Sequence, residues 1–403
     1  MAHKTAIVIG AGIAGCSTAY ALATRGMKVT LLERHDIIAS EASGNPLAML
    51  YPRLSGDDEA SEFALAGYLF SLRLFKQLNL DRDVFNACGL LQLGYNSREL
   101  ARIKKVAAQH YSPSILSYVS ILEASHLAGI KLLHDALYFP DGAWVNPNSL
   151  CQRLIKHENI ELLTSNNPDK LLKNNDLFEV YQCDSLIKKA EFVIIANANE
   201  TQLFTQSKHI VTQAVRGQVT QLSANEHSKS LQMIVCSEGY VSPSVNKQHS
   251  LGATFSKVAF ESNHQDMQVN DEDHLANLTL LKTMSADLSQ TNQNHIIGGR
   301  ASLRCTSPDY FPIVGQLLDS EALIADPPRP SAKSESLPWI KGLYINVAHG
   351  SRGFTSAPLC AEVIASSICG TDLPIQPELF GLLNPNRFLL RELGLKRLSK
   401  LPA

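Results

Sequence analysis

The sequence contains no Cys-x-x-Cys pair, although cysteine occurs eight times, at Cys16, Cys88, Cys151, Cys183, Cys236, Cys305, Cys360 and Cys369. Without that spacing neither a zinc cage nor a redox dithiol is indicated; no metal is expected, and most of these thiols read as small core residues. No uninterrupted apolar run reaches the ~18 residues that a membrane helix needs, and the N-terminus enters an apolar strand without a signal-peptide pattern. No membrane association and a cytoplasmic location are therefore the expectations. Excess charge is lacking too: 36 Lys+Arg against 38 Asp+Glu leave a formal net charge of −2, which excludes a uniformly basic protein but not a local basic patch. There is no internal repeat and no low-complexity tract. With 403 residues, 45% hydrophobic and 18% charged, the chain has the composition of a soluble globular protein of two or more domains with ample core.

What is present is concentrated at the start. Lys4-Thr5-Ala6-Ile7-Val8-Ile9 runs into Gly10-Ala11-Gly12-Ile13-Ala14-Gly15, and Val29-Thr30-Leu31-Leu32-Glu33-Arg34 follows. The apolar run predicts a buried parallel strand, residues 16–25 a helix ended at Gly26, and residues 28–32 a second strand. Gly10 permits the tight strand-to-helix turn, Gly12 lets the backbone approach a pyrophosphate, and Gly15 lets the helix pack on the sheet, while free N–H groups at the helix start face the phosphates. Glu33 stands at the end of the second strand, about 20 residues after the glycines, where its carboxylate can accept hydrogen bonds from an adenosine ribose and would repel a 2′-phosphate. Strand, glycines, helix, strand and acid in that order make a dinucleotide site. By itself the motif admits NAD or FAD.

Further along, Ala42-Ser43-Gly44-Asn45 is a small-residue turn followed by Leu50-Tyr51-Pro52-Arg53 and a helical stretch over 59–78. A nicotinamide enzyme would continue with alternating strands and helices; a flavoprotein returns to the cofactor with such a small-residue loop, although read alone it is simply a turn. Residues 88–95 predict a strand, 98–109 a polar-faced helix, and 138–145 a strand-turn bent at Pro140-Asp141-Gly142. Strands are expected again at 160–164, 178–182 and 191–198, the last a fully buried run. From Val211 to about Ser289 the pattern turns antiparallel, with strands around 217–220, 239–243 and 250–255. Residues 342–348 predict a final buried strand, His349-Gly350-Ser351-Arg352-Gly353 a turn, and 356–368 a helix with Ser356 as N-cap. The expected nucleotide domain comprises 1–85, 136–210 and 296–403; the expected substrate domain comprises 86–135 and 211–295.

Taken together, these segments resemble the glutathione-reductase-type flavoprotein fold in its D-amino-acid oxidase, glycine oxidase and sarcosine oxidase branch, over nearly the whole chain. Within it, Ala42-Ser43-Gly44-Asn45, Leu50-Tyr51-Pro52, Glu238-Gly239-Tyr240, Leu251-Gly252-Ala253-Thr254-Phe255 and Arg304-Cys305-Thr306 resemble the FAD-dependent half of the bifunctional tRNA 5-methylaminomethyl-2-thiouridine enzymes. The resemblance implies an α/β fold: an FAD-binding Rossmann domain of the glutathione-reductase type with an antiparallel-sheet substrate domain. It implies FAD as cofactor, held by Gly10, Ala11, Gly12, Ile13, Ala14, Gly15, Glu33, Arg34, Ala42, Ser43, Gly44, Asn45, Gly350, Ser351, Arg352, Gly353 and Phe354. It also implies tRNA as substrate, with the carboxymethylaminomethyl group of a wobble uridine oxidised to glyoxylate and an aminomethyl group. The methyltransferase half of that family is not in this sequence, so the methylation step is not expected of it and a methyltransferase acting next is an expected partner. One departure is that Asn197 and Asn199 stand where related flavoproteins often carry glycine, and neither is taken as a site residue.

The implied reaction removes hydride from the carbon between an amine and a carboxylate, followed by imine hydrolysis, with the flavin doing the hard chemistry. The protein must anchor the carboxylate, keep the amine neutral and place positive potential by the flavin pyrimidine. Arg304 matches the arginine that holds the substrate carboxylate in glycine oxidase-like relatives, and a guanidinium suits that task; the other reading is a surface or ion-pair role. Arg300 lies on the same strand face and either lines the pocket or is solvated. The turn 349–353 and the helix after it offer N–H groups and a positive dipole end to the flavin carbonyl, to which Arg352 adds a full charge. His349 reads as structural, because hydride transfer from a neutral amine needs no base, and Lys257 aligns with no oxygen-activating lysine. The tail 386–400 is a basic amphipathic segment that either holds tRNA phosphates or packs its leucines on the body. Three functions remain open at this point: a tRNA-modifying FAD oxidoreductase, a free amino-acid oxidase, and a non-catalytic flavin-bearing RNA-binding module.

Overall fold

Backbone pairing in the computed structural model, which describes residues 4–258 and 267–400, separates the chain into two units. One consists of Met1–Gly44, Asn148–Ala214 and Arg304–Ala403, the other of Asn45–Pro147 and Val215–Leu303. Residues 1–3, 259–266 and 401–403, which fall in the expected segments, lie outside the described residues. Residues 45–85 and 136–147, expected with the nucleotide segments, fall in the second unit. The reason is local pairing: Ala48–Leu50, Phe85–Asn86 and Ala143–Val145 form a three-stranded antiparallel sheet of their own.

The first unit is built on a six-stranded sheet of β1 (Thr5–Ile9), β2 (Lys28–Leu32), β3 (Ile160–Leu163), β4 (Phe192–Ile195), β5 (Ile313–Leu318) and β6 (Trp339–Val347). Its order is β5-β6-β4-β1-β2-β3, with β5 antiparallel and the other pairings parallel. In register, Ile7 pairs with both Val193 and Thr30, so β1 is central and its side chains are buried on both faces, as a continuous apolar run in a parallel sheet requires. Two helices cover it. α1 (Ile13–Ala23) starts three residues earlier than the sequence suggests, and Gly26 follows it at φ +81°. α2 (Gly353–Cys369) likewise starts before Ser356, which lies inside its first turn instead of capping it, because the 3₁₀ turn Gly350–Arg352 runs straight into the helix. Fully buried Leu22, Leu31 and Leu32 each contribute about 1.5–3 kcal/mol of burial free energy, and the Arg25–Glu362 ion pair, with Nη1–Oε2 at 3.2 Å, ties α1 to α2 at the far end.

The second unit carries a nine-stranded sheet whose central strands are Gln213–Ser223, Gln248–Gly252, Tyr240–Val241, Ile234–Cys236, Leu90–Leu93 and Ala136–Phe139. The pairing is antiparallel except between Ile234–Cys236 and Leu90–Leu93. The strand expected over 250–255 ends at Gly252. There the Thr254 hydroxyl accepts the Gln218 N–H at 3.0 Å, so a side chain takes over from the ladder. Helix Asp271–Met284 has no counterpart in the sequence reading. Its inner face is mixed: Leu278, Leu281 and Met284 are buried, but His274 and Asn277 share the stripe, with Asn277 Nδ2 donating to the Gln218 carbonyl and to Thr220 Oγ1, both at 3.0 Å, and Leu275 is exposed, so the apolar period of 3.6 that announces a helix is blurred. No helix among the described residues is long and apolar enough to cross a membrane.

The glycines predict a sharp contrast. A Cβ on Gly15 would stand 1.7 Å from the Gly10 carbonyl oxygen, whereas one on Gly26 meets nothing within 4 Å. Gly26→Ala is expected to cost only the left-handed backbone strain of about 1–2 kcal/mol. Gly15→Ala must separate α1 from β1 and is expected to cost considerably more; comparable midpoints for the two variants in chemical denaturation would contradict this packing.

Candidate cofactor and substrate site

At the carboxyl end of β1, Gly10 adopts φ +101°, and a Cβ there would lie 2.7 Å from the Ala196 carbonyl oxygen, so the ends of β1 and β4 meet with no side chain between them. The next glycine is crowded from the other side: a Cβ on Gly12 would be 3.1 Å from Ser43 Oγ, which itself accepts the Ile13 N–H at 3.0 Å. The small-residue loop thus folds back onto the start of α1, with Ser43 as the bridge, and the Gly44 N–H closes the turn on the Glu41 carbonyl at 2.8 Å. Gly12, the N-cap of α1, brings no side-chain cap. Gly12 and Ala14 are partly exposed at the end of an otherwise buried helix, whereas Ala11, Ile13 and Gly15 are buried. Helix N–H groups and the positive end of the helix dipole are therefore offered outward.

Glu33 is only 7% exposed. Its Oε2 accepts the Ala11 N–H at 2.8 Å and its Oε1 the His35 N–H at 3.1 Å. The acid therefore stitches the end of β2 to the glycine loop, and each oxygen keeps a second lone pair for a ligand hydroxyl. Beside it Arg34 is held between Glu41 and Glu200, and His35 Nε2 lies 2.8 Å from the same Glu41. Burial raises the Glu41 carboxyl, but His35 and Arg34 outweigh it and hold the group below its ordinary value. Asn199, left out of the expected site, carries a buried Oδ1 with no hydrogen-bond partner, while Asn197 Nδ2 donates to the Glu200 carbonyl at 3.1 Å.

The second half of the site is the turn from Ala348 to Phe354. Ala348 at φ +65° and Gly350 at φ +57° both take the left-handed region, and a non-glycine residue held there marks a position that the surroundings over-determine. A Cβ on Gly353 would be 3.1 Å from Ile13 Cγ2, so the starts of α1 and α2 abut. α2, like α1, has no side-chain cap. Ser351 and Arg352 are exposed and Phe354 is buried.

His349 holds the turn from within. Its Nδ1 lies 2.9 Å from Ser356 Oγ and its Nε2 2.9 Å from Asn346 Oδ1. Asn346 Nδ2 donates to Thr18 Oγ1 at 3.0 Å, and Thr18 donates to the Ala14 carbonyl at 2.7 Å. With the Thr18 proton committed to Ala14, the Asn346 oxygen faces His349, so Nε2 carries the proton and Nδ1 faces the Ser356 hydroxyl, which also lies 3.1 Å from the Arg352 carbonyl. Both ring nitrogens are spent, and burial pushes the imidazole down to about 3. His349 is a neutral structural link between α1, β6 and α2. Thr18 and Asn346 were not foreseen; the signal was a lone asparagine inside the apolar run Leu343-Tyr344-Ile345-Asn346-Val347.

Strand Ile296–Thr306 brings Arg304 to this turn. Thr306 bridges His349 in antiparallel register, and a Cβ on Gly350 would lie 3.2 Å from Thr306 Cγ2. Arg304, two residues back and half-buried, shares the Thr306 face of the strand. Asn45 and Arg300 belong to the second unit, where Arg300 Nη1 donates to Asn45 Oδ1 at 3.0 Å. Lys257 is exposed on the short strand Ser256–Lys257. Among the described residues no cluster of His, Cys, Asp and Glu has metal-holding geometry.

The residues present fit a flavin dinucleotide. The Cβ-free approach at Gly12 and the uncapped start of α1 suit a pyrophosphate, buried Glu33 suits a ribose, and the uncapped start of α2 beside Arg352 suits an electron-rich ring carbonyl.

Comparison with known proteins bears on the family and the fold. A bifunctional tRNA 5-methylaminomethyl-2-thiouridine biosynthesis protein from Methylobacillus flagellatus is 42% identical over 397 residues, covering 98% of this chain and 61% of that protein. A protein of the same name from Pseudomonas putida is 38% identical over 401 residues, covering 97% and 60%. The chain thus spans about three fifths of the length of these relatives. Among solved structures, L-proline dehydrogenase from P. horikoshii superposes with a TM-score of 0.76 at 19% identity, covering 96% of this chain and 98% of that one. Glycine oxidase from Bacillus cereus gives 0.73 at 21%, covering 92% and 99%. These likenesses carry the fold, which is mixed α/β and of the D-amino-acid oxidase type. The model of the FAD dependent oxidoreductase family matches residues 5–367, and the chain belongs to that family.

Proposed function

We propose that this chain oxidises the carboxymethylaminomethyl group on the wobble uridine of tRNA, releasing glyoxylate and leaving an aminomethyl group. The observation that carries the reading is the bridge from Thr306 to His349, which sets Arg304 beside the turn that opens α2; the substrate follows from the names of the relatives that match nearly the whole chain. The first unit is the FAD domain and the second the substrate domain. A cytoplasmic location and a methyltransferase acting on the aminomethyl product go with this reading.

Bound FAD supplies the acceptor for a hydride from the carbon between amine and carboxylate. The glycine loop and the start of α1 hold the pyrophosphate, Glu33 accepts from the adenosine ribose with Arg34 fixed beside it, and Ser43, between Ala42 and Gly44, closes the loop. Gly350 to Phe354, with the N–H groups at the start of α2 and the Arg352 charge, would hold the flavin ring and would supply positive potential to it. Arg304 grips the substrate carboxylate through a bidentate pair, which orients the carbon that loses hydride. Neutral His349 adds no positive charge to the turn and takes no proton; water then hydrolyses the imine.

Anaerobic mixing of the yellow protein with tRNA bearing the carboxymethylaminomethyl group should bleach the flavin. Bleaching by free glycine or sarcosine but never by that tRNA would replace this reading with a free amino-acid oxidase. Arg304→Ala should raise KM about 10–100-fold with FAD still bound, the loss of a charge-assisted pair worth roughly 1.5–3 kcal/mol; an unchanged KM refutes the anchor role. The folded imidazole of His349, at about 3, titrates below its ordinary value of 6.5. The unfolded chain therefore binds this proton first, so the stability associated with neutral His349 is complete above about pH 6.5 and is lost as pH falls toward 3. His349→Gln should flatten the acid limb of a stability profile between pH 7 and 4, and a limb of unchanged slope would show that His349 does not titrate this way.

A further inference from the structure

The basic tail holds an arginine that does not face solvent. Arg387, on helix Arg387–Glu392, is 0% exposed, one of the largest fully buried side chains in the molecule. Its Nε and Nη2 grip Asp309 Oδ2 and Oδ1 at 2.9 and 2.7 Å, Nη2 also donates to the Phe311 carbonyl at 3.0 Å, and Nη1 donates to the carbonyls of Pro312 and Asn384, each at 3.2 Å. All five guanidinium N–H groups are thereby used. Asp309 Oδ1 accepts as well from Ser307 Oγ at 2.9 Å and the Phe311 N–H at 3.3 Å. Burial raises the Asp309 carboxyl, but Arg387 and the other donors outweigh it and hold it below its ordinary value. The loop 307–312 is thus wrapped around one side chain, with Tyr310 kept at φ +62°, a left-handed conformation that a bulky residue adopts only under constraint.

This loop leaves the strand immediately after Arg304-Cys305-Thr306, and Thr306 is the residue that bridges His349. Two other polar assemblies, the Arg53–Glu99–Arg102 cluster and the Arg216–Asp273 pair, each fasten segments within the second unit. We propose that Arg387 is a positioning residue for substrate binding: locked on Asp309, it fixes the strand end that carries Arg304 against the turn that opens α2. The proposal rests on Arg304 as the carboxylate anchor. It also takes Arg387 out of any phosphate-binding face, whereas Arg397 stays exposed, its guanidinium donating to the carbonyls of Pro330 and Ala332.

Lysine keeps the charge but cannot form the two-pronged pair, so Arg387→Lys is the diagnostic variant. The double variant R387M/D309N removes both charges together and leaves no buried ion alone. Both are made in the full FAD-loaded chain beside Arg304→Ala and titrated with methoxyacetate, a carboxylate with an ether oxygen in place of the oxidisable amine, while the visible flavin spectrum is followed. The expected result is methoxyacetate affinity weakened roughly tenfold in both Arg387 variants, with KM for the modified tRNA raised in proportion, kcat little changed and FAD content at the parent level. Parent-like methoxyacetate affinity in either FAD-loaded Arg387 variant, with Arg304→Ala weakened, overturns this inference and leaves the anchor standing. Parent-like affinity in Arg304→Ala overturns the anchor and this inference with it. Loss of FAD from Arg387→Lys and from the double variant alike also overturns it, since the pair would then serve the fold at large.

Discussion

Two helices begin against each other, Ile13 touching Gly353, and that contact sets the electrostatics of the nucleotide unit. Each helix leaves N–H groups unsatisfied at its first turn, and each points the positive end of its dipole at the same neighbourhood. Packing two such ends together is unfavourable unless an anion or an electron-rich group lies before them. The protein accepts this strain locally and offsets it elsewhere, through the apolar contact along α1 and α2 and the Arg25–Glu362 pair at their opposite ends.

The turn that opens α2 is held to α1 through neutral hydrogen bonds. The line from Ala14 through Thr18, Asn346 and His349 to Ser356 joins the first helix, the last long strand of the sheet and the last long helix. Each member is committed, so the ring of His349 cannot turn without breaking a bond at each nitrogen. A protonated imidazole would add a third positive element to two dipole ends, and burial prevents it.

Much of this was legible because it is local. The glycine spacing, the acid closing β2 and the apolar runs of β1, β4 and β6 each report a conformation within a few residues, and the structure places them accordingly. Ser43 was legible as part of a small-residue loop, but not its bond to Ile13, thirty residues away in sequence. Helix Asp271–Met284 was missed because His274 and Asn277 share the buried stripe with Leu278, Leu281 and Met284 while Leu275 is exposed, and a stripe so mixed carries little hydrophobic period. Arg387 was misread for the opposite reason. Its neighbours Leu389, Leu390, Leu395 and Leu398 do pack inward, yet charge on an amphipathic segment reads as the wet face, and only Asp309, far upstream, draws this guanidinium inside.

β1 lies between two strands that the chain supplies at very different times: β2 follows at once, but β4 begins at Phe192, and β6, which covers β4, at Trp339. During synthesis the nucleotide loop therefore emerges long before the elements that bury its strand. Until they arrive β1 presents an unpaired edge of apolar residues, the kind of surface on which newly made chains associate wrongly. Such non-local pairing implies slow folding, and a chain interrupted before α2 would carry an intact glycine motif that has no second helix start to face.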